Sequence, residues 1–214
     1  MKRESTAEKL ERMTTTEREL ERLAGKRLLI AGIDEVGRGP LAGPVVTACV
    51  ALPLDRLVEG VDDSKKLSEK KREALYPKII EAAAYVKTAW LWQDEIDRIN
   101  ILNATKKAME QCAAGFTGDV ILVDAVDGIS LPCPHKSIVR GDAISYMIAA
   151  ASIVAKVERD EYMKKLAVKY PAYGFEQNKG YGTAQHIAAL RQYGPCELHR
   201  KSFISKFVSE ETVR

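Results

Sequence analysis

The chain has 214 residues, 46% hydrophobic and 29% charged, with 33 Lys+Arg against 30 Asp+Glu and a net charge of +3. That is enough apolar material for one globular domain without disulfides or structural metals, and the charge total alone names no polyanionic partner. No run approaches the about 18 consecutive apolar residues of a bilayer span, and no apolar stretch follows the charged N-terminus as in a signal peptide. No membrane association is expected, and the expected compartment is the cytoplasm.

Residues 1–26 mix basic and acidic side chains around Leu10, Met13, Leu20 and Leu23, with Glu8 and Arg12 at i,i+4 spacing. This predicts a short, mostly exposed helical extension. Segments 27–33 (RLLIAGI) and 45–52 (VVTACVAL) are apolar and β-prone, and the Gly/Pro-rich stretch 37–44 joins them as neighbouring strands. Segment 68–84 predicts a helix with Ser68 as N-cap. A third strand is expected over 85–92, a helix over 94–114, a buried strand over 119–126 (DVILVDAV), a last short strand at 137–139 and one long Ala-rich helix over 142–169. The remainder, rich in Gly and Pro, predicts short helices and loops. The pattern is an α/β fold with a mixed central sheet flanked by helices and a C-terminal helical part. Three parts are expected: the extension 1–26, a catalytic core 27–170, and a basic, aromatic-rich part 171–214 of the same domain that binds substrate.

Between Lys164 and Lys206 eight Lys/Arg (164, 165, 169, 179, 191, 200, 201, 206) face two acids, Glu176 and Glu197, with Tyr170, Tyr173, Phe175, Tyr181, Tyr193 and Phe203 among them. Basic residues interleaved with aromatics suit a nucleic-acid backbone, although a solvated basic surface has the same composition. Cys49, Cys112, Cys133 and Cys196 form no CxxC pair, and the histidines at 135, 186 and 199 form no zinc pattern, so reduced cysteines are expected.

The chemistry concentrates in acids at element ends. Asp34 and Glu35 stand together at the end of an apolar strand, and they converge on one site only if the strand ends or bends there, which Gly37 and Gly39 permit. Asp124 ends the buried run 120–123, and Asp142 opens the Ala-rich helix, where an Asp also serves as an ordinary N-cap. Four carboxylates brought together repel one another, and hard cations with oxygen ligands, Mg²⁺ or Mn²⁺, relieve the repulsion. Two such ions support in-line attack on a phosphodiester.

DEVGRGPLAGPVV at 34–46 and DSKKL at 63–67 resemble the signature of the ribonuclease HII family. So do Val123-Asp124, Gly141-Asp142, AAASIVAKVERD at 149–160, KGYGT at 179–183 and HRKSF at 199–203, in order over about residues 28 to 207. The resemblance implies an RNase H-like fold and hydrolysis of the RNA strand of RNA–DNA hybrids. It further implies cleavage 5′ of ribonucleotides embedded in duplex DNA, leaving 5′-phosphate and 3′-hydroxyl ends, in ribonucleotide and RNA-primer removal. Asp34, Glu35, Asp124 and Asp142 correspond to the family's catalytic and metal-binding quartet, taking two Mn²⁺ or Mg²⁺ ions with substrate bound. Gly37, Arg38, Gly39 and Tyr181 correspond to the reader of the ribose 2′-hydroxyl, the one group that marks RNA at a given position. Lys65, Lys66, Thr183, Arg200 and Ser202 are expected at backbone phosphates, Lys156 and Arg159 as structural ions outside the site, and the chain as a monomer. Rival expectations are a ribonuclease HIII-like nuclease, whose sizeable N-terminal substrate-binding domain residues 1–26 are too short to supply, and a catalytically silent hybrid-binding module. A metabolic α/β enzyme finds no glycine fingerprint or nucleophile–His pair to support it.

Overall fold

A computed structural model describes residues 4–208; residues 1–3 and 209–214, which belong to the expected extension and C-terminal part, lie outside the described residues. The charged N-terminal segment forms two helices, α1 (Thr6–Met13) and α2 (Thr15–Ala24). Ser5 and Glu8 close a capping box at the start of α1. The expectation of a mostly exposed helix fails at the joint, where Met13, Thr14 and Glu17 are buried. Glu17 Oε1 accepts from the Ser145 hydroxyl at 2.6 Å and from the Met147 N–H at 3.1 Å, which docks the segment on the body.

β1 (Ile30–Val36) runs past both adjacent acids and pairs antiparallel with β2 (Val45–Ala51). α3 (Glu69–Ala82) begins at Ser68, whose side chain accepts from the Lys71 N–H as expected of an N-cap. β3 (Tyr85–Leu91) adds antiparallel to β2. Segment 94–114 is two helices, α4 (Gln93–Ile99) and α5 (Ile101–Ala113), because Asn100 takes φ 65° between them and caps α5 through its side chain. Asn tolerates that left-handed φ better than most residues.

β4 (Val120–Asp124) and β5 (His135–Ile138) continue the sheet in parallel, giving the order β3-β2-β1-β4-β5. The expected long helix is also broken. α6 (Gly141–Ile144) is one turn carrying Asp142, Ser145 is extended, and α7 (Tyr146–Lys169) then starts with Ser145 as its cap. α8 (Phe175–Asn178), α9 (Ala184–Tyr193) and α10 (Lys201–Ile204) complete the C-terminal part. No helix among the described residues is long and apolar enough to cross a membrane.

Alternation along the strands sorts the core into two layers. Ile30, Val46, Ala48 and Leu122 pack with α7, whereas Ile33, Cys49, Ile121 and Val123 pack with Met109 and Cys112 of α5. Full burial of Ile33 or Ile148 contributes about 1.5–3 kcal/mol each. α7 crosses β1 at Gly32, where a Cβ would stand 2.1 Å from the Met147 carbonyl carbon. This contact brings the first turns of α7 over the carboxyl end of β1.

Candidate active site

Asp34 shares the α7 face of β1 with Ile30, and Asp124 ends β4 on that same face beside Leu122. The one-turn α6 lays Asp142 against them, and Asp124 Oδ1 accepts the Gly141 N–H at 2.7 Å. One carboxylate oxygen from each of Asp34, Asp124 and Asp142 lies within 4.8 Å of the others. Glu35 is not one of this group. β1 stays regular through Val36, so alternation sends Glu35 toward the opposite face, and the expected bend at the two acids is absent. Glu35 still lines the same cavity of about 240 Å³, with Oε1 3.4 Å from Arg38 Nη1 and Oε2 buried without a hydrogen-bond partner among the described residues.

Burial, and then the charges of Glu35 and Asp124, push the Asp34 carboxyl well above the usual carboxylate range. Burial raises Glu35 and Asp124 as well; Arg38 offsets the rise at Glu35, and the Gly141 N–H offsets it at Asp124. Such a cluster is costly while ionised unless positive charge enters it. Its donors are all carboxylate oxygens, one of them orphaned at Glu35, which is the ligand chemistry of a hard dication rather than of zinc or copper.

Two residues absent from the sequence reading complete the floor. The Ser64 and Ser152 hydroxyls lie 2.5 Å apart, and both line the cavity with Asp34. Ser152 is the one hydroxyl in the apolar run 148–155, and that interruption is the signal that could have found it. Lys156 also lines the cavity, although it pairs with Asp160 at 2.7 Å as expected.

The expected substrate contacts divide. Lys65 reaches Asp142 Oδ2 at 2.8 Å, and Lys66 remains exposed in the same loop. Gly39 and Tyr181 face each other: a Cβ on Gly39 would stand 3.7 Å from the Tyr181 ring, with nothing nearer. Gly37 differs, because its φ of 93° and its contact with Arg159 leave no room for a side chain. Thr183 caps α9 by accepting from the His186 N–H. Arg200 is corrected. It is fully buried and donates to the carbonyls of Gly37 at 2.6 Å, Arg38 at 3.0 Å and Gly43 at 2.9 Å, so it shapes the turn from behind and meets no phosphate. Ser202 is exposed, and its hydroxyl and N–H both donate to Asp97. Arg159 has no carboxylate partner; it donates to Pro44, Lys179 and Ala42 carbonyls and braces the same turn.

A mixed five-stranded sheet flanked by helices, with a carboxylate cluster at the end of its central strands, defines a protein of RNase H-like fold. Residues 31–206 match the family model described as Ribonuclease HII. The chain is similar to the ribonuclease HII of Acetivibrio thermocellus, 50% identical over 182 residues, 84% of this chain and 71% of the relative. It is 46% identical over 209 residues to that of Ruminiclostridium cellulolyticum, 97% of this chain and 81% of the relative. The crystal structure of ribonuclease H2 from Pyrococcus horikoshii OT3 superposes with a TM-score of 0.71 at 27% identity, covering 86% of this chain and 98% of that one. Bst-RNase HIII in complex with Mn²⁺ superposes at 0.57 and 20% identity, over 78% of this chain and 63% of that one, a likeness of fold alone. The chain belongs to the ribonuclease HII family and is a ribonuclease H, an endoribonuclease of RNA–DNA hybrids.

Proposed function

We propose that the chain hydrolyses the RNA strand of hybrids and also cuts 5′ of single ribonucleotides in duplex DNA, leaving 5′-phosphate and 3′-hydroxyl ends. The convergence of Asp34, Asp124 and Asp142 oxygens within 4.8 Å, beside the gap between Gly39 and Tyr181, carries this reading. Asp34, Asp124 and Asp142, with Glu35, would hold two Mg²⁺ or Mn²⁺ ions. When bound, the ions neutralise the carboxylates and supply the electrophilic activation that phosphodiester hydrolysis requires.

The chain's own groups place the substrate. Backbone groups of Gly37, Arg38 and Gly39 address the ribose 2′-hydroxyl, which both donates and accepts. The Tyr181 ring packs on the sugar of the next nucleotide, where a deoxyribose fits and a 2′-hydroxyl crowds. Lys65 and Lys66 meet backbone phosphates at the mouth of the cavity, and Thr183, which uses its oxygen as a cap acceptor, keeps its hydroxyl proton for another. A metal ion in the Mn²⁺ complex of Bst-RNase HIII supports a dication requirement by analogy of fold. The protein is read as a cytoplasmic monomer acting in ribonucleotide and RNA-primer removal, with residues 171–208 contributing to substrate binding.

The deciding experiment uses an end-labelled DNA duplex with one ribonucleotide, incubated with Mg²⁺, with Mn²⁺ and with EDTA. A cut immediately 5′ of the ribonucleotide with either ion, and none with EDTA, is the expected result. Binding without cleavage in both metals favours the silent hybrid-binding module. Good cutting of continuous hybrid with poor cutting at the single ribonucleotide favours a ribonuclease HIII-like preference.

A further inference from the structure

Behind Tyr181 lies a pair of buried histidines that hydrolysis does not use. His186 is fully buried and His199 is 3% exposed. Their hydrogen bonds assign a role to every ring nitrogen. The Cys196 N–H donates to His199 Nδ1 at 2.9 Å, nearer than the Cys196 carbonyl and thiol at 3.2 Å, and this shorter contact makes Nδ1 an acceptor and places the ring proton on Nε2. His199 Nε2 lies 3.0 Å from His186 Nε2 and donates to it. His186 therefore carries its proton on Nδ1, which donates to the Tyr181 carbonyl at 2.9 Å. Each donor meets one acceptor only if both rings are neutral. Among the described residues neither ring makes an ion pair; Tyr173 packs edge-on and Phe175 tilted against His199, at 4.9 and 5.9 Å between ring centres. Burial lowers both basicities, that of His199 to about 4.

The position of the pair in the fold gives it a task. His199 forms a β-bridge with Ala42 of the glycine-rich connection, and the next residue, Arg200, grips the carbonyls of Gly37 and Arg38. One dipeptide thus holds both sides of the gap: Arg200 holds the glycine turn, and His199, through His186, holds the backbone of Tyr181. We propose that His186 and His199 are positioning residues, a neutral pair of fixed tautomers that sets Tyr181 opposite the Gly37–Gly39 turn and so sets the preference for RNA–DNA junctions. The inference rests on the junction-reading role of Tyr181 given above.

The measurement is the ratio of kcat/KM on a duplex with one ribonucleotide to kcat/KM on continuous hybrid, for wild type, Tyr181→Ala, His199→Phe and His199→Gln. His199→Phe removes the donor to His186, and losing that hydrogen bond should lower the ratio roughly tenfold. His199→Gln restores an N–H toward His186 and should stay within about threefold of wild type. A lowered ratio in Tyr181→Ala with an unchanged one in His199→Phe overturns this inference and leaves the junction reading standing. An unchanged ratio in Tyr181→Ala overturns both. Should His199→Phe fail to fold, nitrogen-15 NMR of the wild-type histidines decides. The Nε2–H tautomer at His199 with the Nδ1–H tautomer at His186, both neutral at pH 6, is the expected spectrum, and any other tautomer pair or a charged ring overturns the proposal.

Discussion

Asp34 carries the heaviest electrostatic load in the cavity. Burial and two neighbouring acids raise its pKa, so the folded metal-free protein holds a proton that the unfolded chain releases above its ordinary pKa of 3.8. The folded state then binds more protons, and metal-free stability falls as pH rises through that raised range. Asp34→Asn removes the term. In EDTA its Tm should equal or exceed that of wild type, with the gap widening from about pH 4 to pH 7. Its turnover should fall by roughly a thousandfold or more, since several kcal/mol of charge stabilisation depend on the ions it helps to hold. A variant that cuts at near wild-type rate would remove Asp34 from the cluster. At this scale the chain was partly legible. Asp34, Asp124 and Asp142 were visible as acids at element ends, whereas Ser64 was not and Ser152 showed only as the one hydroxyl in an apolar run, because a serine carries no mark of the group it faces.

The element that organises the site is α7, and two neighbours fix it. Gly32 lets it lie directly on β1, and a Cβ there would strike backbone rather than a movable side chain. Gly32→Ala should cost about 3 kcal/mol or prevent folding, read as a lowered urea midpoint at unchanged m-value. Glu17 holds the same N-terminal end from outside the sheet, accepting from Ser145 and Met147 at the start of the helix, while its Oε2 has no partner among the described residues. Glu17→Ala leaves a buried hydroxyl and N–H unpaired and should cost about 1–3 kcal/mol. Glu17→Gln keeps an acceptor without a buried charge and should retain most of that stability; an equal loss in both variants would show that the charge is the stabilising feature. The breaks at Asn100 and Ser145 escaped periodicity, since both neighbouring segments keep a helical pattern and only the cap geometry separates them.

Across the molecule, usable positive charge is distributed differently from the sequence. Of the eight basic residues between 164 and 206, Lys164 pairs with Glu69, Glu73 and Glu161, Lys169 with Glu197 and Lys179 with Glu69, Arg200 is buried, and Lys165, Arg191, Lys201 and Lys206 are exposed. The exposed cations beside the cavity are Arg38, Lys65 and Lys66. Hybrid binding should therefore weaken with salt at a slope equivalent to a few released counterions, and Lys66→Ala should make that slope shallower by about one. Fluorescence anisotropy over roughly 50 to 200 mM salt measures both. An unchanged slope would place the phosphate contacts elsewhere.

Strand alternation, the Ser68 cap, the glycine-rich turn and the acids that end strands all follow from neighbours within a few residues, so the amino-acid order by itself determined them, and with them the family. Which acids meet, and which cations stay outside, was decided by contacts between residues far apart in the chain. Asp34 joins Asp124 and Asp142 on one face, and Glu35 lines the same cavity from the next position of the strand, because β1 remains regular to Val36. Arg200 turns inward because the carbonyls of Gly37, Arg38 and Gly43 need donors once the turn is buried. A buried backbone carbonyl imposes a partner only after the chain has folded around it, and that demand leaves no local trace in the sequence.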